Sequence, residues 1–167
     1  MQDENRTRDR IMFTPIGTIR SPFTDPAGMP IQPAGAKGVR GTVVIEEKYR
    51  EGLRDLEGFS RIILIYAFHR SDGYSLVVIP FLDTVPHGVF ATRAPKRPNA
   101  IGLSVVRLVA VNGNDLTVED VDILDGTPLL DIKPYVPAFD AFPDEKAGWF
   151  DQYCDRITAM RSDRRFL

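Results

Sequence analysis

Apolar and polar residues alternate with a period of two along most of this chain, the spacing of half-buried strands, and only two stretches show helical spacing. Strands are predicted over residues 13–19, 39–45, 61–69, 75–82, 89–92, 101–111, 116–121 and 128–132, where β-branched and aromatic side chains dominate. Arg70-Ser71-Asp72-Gly73 reads as the turn of a hairpin between residues 61–69 and 75–82, and Asn112-Gly113-Asn114 as a tight turn into residues 116–121. Residues 48–56 set Tyr49, Leu53 and Leu56 on one side of a short helix ending at Gly58. Residues 146–161 set Trp149, Phe150, Tyr153, Cys154, Ile157 and Met160 along one stripe of a C-terminal helix. The predicted fold is therefore mainly β, a small antiparallel β-barrel with one short helix and a C-terminal helix. Strands alternating with crossover helices, which a Rossmann sheet requires, are absent from the pattern.

Length changes this picture little: 167 residues suit one domain with its own core. Residues 1–10, MQDENRTRDR, hold almost no apolar side chains and read as a disordered leader, which leaves residues 11–167 as a single domain. The Pro- and Gly-rich stretch 21–38 is long for a connection in a compact domain and points to a functional loop. One cysteine, Cys154, excludes an intrachain disulfide framework, and no apolar run reaches membrane-spanning length, so a cytoplasmic protein is expected. The formal net charge of -2 means that nucleic-acid binding would depend on a local positive patch.

Several chemistries lack their residues. The two histidines, His69 and His87, have no helical ligand spacing, and Asp120, Asp122 and Asp125 do not fit a calcium loop, so no metal is expected. Cys154 lies within an apolar stripe, no serine sits in a nucleophile elbow, and Gly35, Gly38 and Gly41 lack the strand-to-helix context of a phosphate cradle. What stands out is the loop ATRAPKRPNA between predicted strands, where Pro95 and Pro98 stiffen a segment bearing Arg93, Lys96, Arg97 and Asn99. Either it is a solvated basic turn or it preorganises cations for a ligand. Residues 122–135, DILDGTPLLDIKPY, offer carboxylates to meet it, unless Asp125 only caps the Gly-Thr-Pro turn and Asp131 only pairs with Lys133 or Arg97.

Four motifs, IGTIRSPF (16–23), FSRIILIYAFHR (59–70), GVFATRAPKRPNAIGLS (88–104) and DILDGTPLLDIKPYVP (122–137), occur in an order that resembles the TsaA/TrmO family of S-adenosylmethionine-dependent tRNA methyltransferases. The resemblance spans residues 13–149 and implies a β-barrel enzyme working as a homodimer, with S-adenosylmethionine as methyl donor and N6 of threonylcarbamoyladenosine beside the tRNA anticodon as acceptor. By motif it implies a donor pocket of Gln32, Pro33, Phe68, His69, Arg93, Leu103, Glu119, Asp120, Val121 and Asp122. It further implies that Arg97, Asn99, Asp131, Lys133 and Tyr135 shape the catalytic side, with Lys96, Arg97 and Lys133 toward the substrate. Arg93 suits the donor's carboxylate, Leu103 its adenine, Asp122 its ribose diol and Phe68 its sulfonium. Asp131, Tyr135 and His69 are alternative bases for the acceptor's proton. Ile31 stands where the family pattern has a basic residue before the Gln-Pro pair. Two further readings share the donor pocket: a methyltransferase acting on a small molecule, and a binding module without catalysis.

Overall fold

The computed structural model describes residues 11–166; the predicted leader, residues 1–10, lies outside the described residues. Six strands close an antiparallel barrel, and two short ones make a separate ribbon. In chain order the strands are β1 (Gly17–Arg20), β2 (Arg40–Ile45), β3 (Arg61–Ala67), β4 (Val77–Val78), β5 (His87–Gly88), β6 (Ile101–Asn112), β7 (Asp115–Glu119) and β8 (Thr127–Pro134). The barrel runs β1-β2-β7-β6-β3-β8 and β4 pairs with β5. Closure leaves the barrel strands no free edge, which removes the template for edge-to-edge association.

Alternation builds the core. Ile62, Leu64 and Tyr66 of β3, Val106 and Leu108 of β6, Leu116 and Val118 of β7, and Val43 and Ile45 of β2 point inward with Ile19 and Leu129. Asn112 pairs with Asp115 across Gly113-Asn114, and Gly113 adopts φ 62°, the left-handed conformation the predicted tight turn needs. Between Ile65 and Tyr66 the pairing of β3 with β8 slips by one residue, from Ile65 opposite Asp131 to Tyr66 opposite Leu129. Such a bulge bends the ladder and re-aims the side chain beside it, here Tyr66.

Three predicted elements differ. Residues 75–82 do not form a hairpin with β3, because β3 already has β6 and β8 on its two edges. Only Val77 and Val78 find partners, Gly88 and His87, and residues 89–92 turn through a 3-10 segment, Val89–Ala91, instead of extending as a strand. The short helix is a pair of 3-10 turns, Glu47–Leu53 and Leu56–Gly58, interrupted by Asp55 at φ 66°. Tyr49, Leu53 and Leu56 nevertheless pack on the core from its periphery, so the apolar spacing reports the contact although the helix type differs. The C-terminal segment is likewise 3-10, Gly148–Arg156, with Cys154 exposed. One short α-helix, α1 (Pro137–Asp140), precedes it.

From residue 148 onward the chain acts as a strap. The backbone of Arg161 bridges to Pro30, Ser162 exchanges backbone and side-chain hydrogen bonds with residues 26–29, and Phe166 inserts among Val78, Val89 and Ala94. Trp149 is sandwiched between ring neighbours, stacked on His87 at 4.5 Å and on Phe150 at 3.9 Å, and its indole N–H donates to the Ala91 carbonyl at 2.7 Å.

Candidate small-ligand site

Outside the barrel, a cavity of about 410 Å³ is enclosed by loops from six parts of the chain. Its walls come from the 26–32 loop, the end of β3 with residues 68–71, residues 80–82 beyond the ribbon, the 92–97 loop with the start of β6, residues 122–127, and the strap. A volume of this size falls in the range of small-ligand pockets.

Two arginines of the basic loop have different surroundings. The Arg97 guanidinium donates to the carbonyls of Thr92 (2.8 Å), Val89 (3.0 Å) and Ala94 (3.4 Å), tying its own loop into shape. Arg93 is exposed at the cavity wall and donates to Gln32 Oε1 at 3.0 Å, so it retains donors for an anionic group. The two prolines and Arg97 together give the stiffness predicted for this segment.

A buried hydrogen-bond chain reaches the cavity from the barrel. The Ser104 hydroxyl donates to Asp122 Oδ1 at 2.6 Å, and Tyr66 Oη lies 3.0 Å from Ser104 Oγ. Since the single Ser104 hydrogen is committed to the carboxylate, Tyr66 is the donor in the second bond. Burial pushes the Asp122 carboxyl up to about 6, against the lowering effects of the Ser104 hydroxyl and the Arg93 charge. Burial, aided by the negative charge of Asp122, raises the Tyr66 phenol far above its ordinary range.

His69 also lines the cavity, beside Thr127. Thr127 gives its hydroxyl hydrogen to the Leu124 carbonyl at 2.7 Å, so the 3.3 Å contact between Thr127 Oγ1 and His69 Nδ1 requires the imidazole to donate from Nδ1. A neutral His69 then presents Nε2 as an acceptor. Burial, with a further push from Arg70, holds its pKa below the ordinary histidine value, which favours that neutral form.

Of the residues singled out in the sequence, Gln32, Phe68, His69, Arg93, Arg97, Leu103 and Asp122 meet at the cavity. Pro33 follows directly and opens the 3-10 turn Pro33–Ala36. The others lie elsewhere. Glu119 pairs with Arg40 (3.1 Å) and Arg107 (3.3 Å) on the outer barrel surface; Asp120, at φ 67°, accepts from Gly38 N–H and Arg61; Val121 is core. Asp131 pairs with Lys133 at 2.8 Å, as one sequence reading expects, and neither lines the cavity. Tyr135, Asn99 and Lys96 are also outside its walls. Among the described residues no three or more His, Cys, Asp or Glu side chains gather as a metal site would require, and no helix is long and apolar enough to cross a membrane.

Sequence reasoning missed Tyr66, Ser104, Ser71 and the strap residues Trp149, Phe150 and Phe166. Tyr66 and Ser104 follow the inward alternation of their strands and look like ordinary core positions. Ser71 Oγ is buried in the wall without a hydrogen-bond partner among the described residues, and the sequence marks it only as part of the turn that follows the second motif.

A closed antiparallel barrel with a loop-walled cavity, furnished with the Arg93 guanidinium, the Asp122 carboxylate and aromatic faces, defines a small-ligand-binding β-barrel protein. Its kinship is more specific: a model described as the tRNA-methyltransferase O N-terminal domain matches residues 18–141, and the chain belongs to that family. It is 54% identical to a probable S-adenosyl-L-methionine-binding protein of Pyrococcus abyssi, over 94% of this chain and 85% of that one. It is 36% identical to the tRNA (adenine(37)-N6)-methyltransferase of Escherichia coli, over 82% of this chain and 63% of the relative. The crystal structure of TrmO from Pseudomonas aeruginosa superposes with a TM-score of 0.71 at 41% identity, covering 84% of this chain and 62% of that one. The chain thus spans under two thirds of the two methyltransferase-related chains, and the strap from residue 148 onward lies beyond the matched family domain.

Proposed function

We propose that the cavity binds S-adenosylmethionine and that the chain directs its methyl group to N6 of an adenine in tRNA, the threonylcarbamoyladenosine beside the anticodon. The observation that supports this most is the convergence of Arg93, Asp122, Phe68 and Leu103 from three of these wall segments on one cavity of about 410 Å³. These groups fit the donor's parts. Arg93, steadied by Gln32, would take the carboxylate; Asp122 would accept from the ribose hydroxyls; Leu103 would pack against the adenine; and Phe68, held edge-on by Tyr66 at 5.5 Å, would face the sulfonium. When bound, S-adenosylmethionine supplies an electrophilic methyl group. The chain's task is chiefly positioning, since methyl transfer is an in-line displacement. His69 is the base the cavity supports best, with Nε2 as acceptor and a lowered pKa that keeps it neutral near pH 7. Asp131 and Tyr135 stay with the proposal only as groups that approach from the outer surface.

Lys96 and Arg97, in the basic loop that borders the cavity, would with Lys133 supply positive charge for phosphates. A homodimer would enlarge that surface and would cover the exposed Leu76, Val77, Val85 and Phe90 near the ribbon. A tRNA substrate also implies action in the cytoplasm. A second reading, donor binding without transfer, draws on the Pyrococcus relative, which is named for binding alone.

Calorimetry with S-adenosylmethionine, on the wild type and on Arg93→Ala, tests the donor pocket, and transfer of labelled methyl to tRNA lacking that modification tests the acceptor. Loss of one charge-assisted contact lowers affinity by roughly tenfold or more. Equal affinity of the variant would overturn the assignment of Arg93, and donor binding without transfer would select the second reading.

A further inference from the structure

The buried chain from Tyr66 to Ser104 to Asp122 lies behind the cavity, and none of its hydrogen bonds is needed to close the barrel. Tyr66 and Ser104 are both buried, on neighbouring strands, and a bulge in the pairing of β3 with β8 falls at Tyr66. Gly102, two residues before Ser104, is what makes room: an added Cβ would lie 2.6 Å from Tyr66 Cζ and 2.9 Å from Phe68 Cζ. A bare glycine and a bulge at the same place, serving one phenol, are local departures from regular strand structure. Departures of this kind concentrate at functional sites.

We propose that Tyr66 and Ser104 are positioning residues that hold the Asp122 carboxylate ionised and oriented, with Oδ1 committed to Ser104 and Oδ2 presented to the hydroxyls of the bound nucleoside. The inference rests on the reading that the cavity takes S-adenosylmethionine. A carboxylate fixed in this way discriminates for a ligand with hydroxyl donors, because a site built to accept a hydrogen bond rejects an analogue that lacks it. Directionality supports the assignment. A chain that runs donor to acceptor from phenol to hydroxyl to carboxylate stabilises the charged end, and it does so in a water-poor setting where such bonds are strong.

The charge state of Asp122 is therefore part of recognition. Arg93 acts on it from the basic loop and Ser104, itself bonded to Tyr66, from β6; His69, Arg70, Arg97 and Asp163 are the other charged or titratable side chains in the cavity walls. The Ser104 bond lowers the pKa of Asp122, so its removal raises that pKa and moves the onset of ligand loss to higher pH.

The test is the affinity for S-adenosylmethionine between pH 5.5 and 8.5, measured by calorimetry on the wild type, Ser104→Ala, Tyr66→Phe and Asp122→Asn. Asp122→Asn has no carboxyl to titrate and supplies the baseline for every other group. Relative to that baseline, wild-type affinity should fall as pH drops through about 6. In Ser104→Ala the fall should begin at higher pH, so that the variant is weakened several-fold more at pH 6.5 than at pH 8.5. Tyr66→Phe, which keeps the ring and so the packing, should show a smaller shift in the same direction. A structural role alone would weaken Ser104→Ala equally at every pH, and that result overturns the inference, as do unchanged profiles in both variants. No binding by the wild type at any pH instead removes the donor-binding reading, and the inference falls with it.

Discussion

Replacing Gly102 by alanine puts the coupling between barrel and cavity under direct strain. The new Cβ would lie 2.6 Å from Tyr66 Cζ and 2.9 Å from Phe68 Cζ, both closer than atoms tolerate, and both rings belong to or pack against the buried core. Tyr66 is the side chain that must give, and as it swings its hydroxyl leaves Ser104. Overpacking of this kind costs about 1–3 kcal/mol and a lost buried hydrogen bond about 1 kcal/mol, so a destabilisation of about 2–4 kcal/mol is expected. For a chain of this size each kcal/mol moves the melting midpoint by about 2–4 °C, which puts the expected fall at about 4–16 °C. Calorimetric melting of Gly102→Ala beside Gly52→Ala measures it. Gly52 is the control because a Cβ there meets nothing within 4 Å, and surface changes of that kind stay within about 0.5 kcal/mol. A Gly102→Ala protein melting within about 2 °C of the wild type, with unchanged affinity for S-adenosylmethionine, would refute the argument that this glycine exists to seat Tyr66.

Two further outcomes follow from the strap and the ribbon. Phe166 is buried edge-to-face on Phe81 at 5.0 Å, so Phe166→Ala should expose residues 148–166 to limited proteolysis well before the barrel unfolds; an unchanged cleavage pattern would show that the hydrogen bonds of Ser162 and Arg165 hold the strap without it. The Asp83 carboxyl is pulled down to about 2, first by His87 at 3.0 Å and then by the backbone N–H groups of Thr84 and Val85 and the Tyr153 hydroxyl. Its folded pKa lies below its unfolded one, so the folded state holds this proton less readily and the stabilisation is complete above the ordinary carboxylate range. Asp83→Asn should thus be less stable than the wild type at neutral pH, the gap closing as pH falls toward 2; urea titrations giving a gap that stays constant with pH would contradict this.

The barrel was legible because its signal is local. Period-two alternation in residues 39–45, 101–111 and 116–121 dictates inward and outward faces whatever the partner strand, and Asn112-Gly113 supplies the turn chemistry of its hairpin. Partner choice is not local, which is why residues 75–82, apolar enough for a full strand, contribute only Val77 and Val78 to a ribbon. The stripe from Trp149 to Met160 was visible, but an apolar spacing of three to four residues does not separate α from 3-10 geometry when the segment is short and lies against a surface. The site shows the same split. Arg93, His69 and Asp122 were identified from motif position, whereas Tyr66 and Ser104 have the signature of core residues and reveal their part only once β3 and β6 are side by side. Glu119 and Asp120 show the limit of reading a contiguous stretch as one unit: at the end of β7 successive side chains face opposite ways, and only Asp122 reaches the cavity.

The ends of β3 and β6 form the rigid side of the cavity, and its other walls are mostly chain that the barrel ladder does not hold. Side chains hold it instead: Arg97 grips three carbonyls of the 89–94 turn, Ser162 clasps residues 26–29, Trp149 donates to Ala91, and Arg165 donates to Pro80. Each of these bonds is worth about 1 kcal/mol, far less than the cooperative core, so the walls can open without the barrel unfolding. An occupant that touches the 26–32 loop, the 92–97 loop and the strap at once links three segments that are otherwise tied pairwise. Binding is then the interaction that makes the walls behave as one unit, while the Tyr66–Ser104–Asp122 chain keeps one contact fixed to the rigid barrel throughout. That combination, one preorganised carboxylate on a rigid frame and adaptable walls around it, suits the proposed binding of a small methyl donor, one end of which is fixed while the walls adjust around the rest.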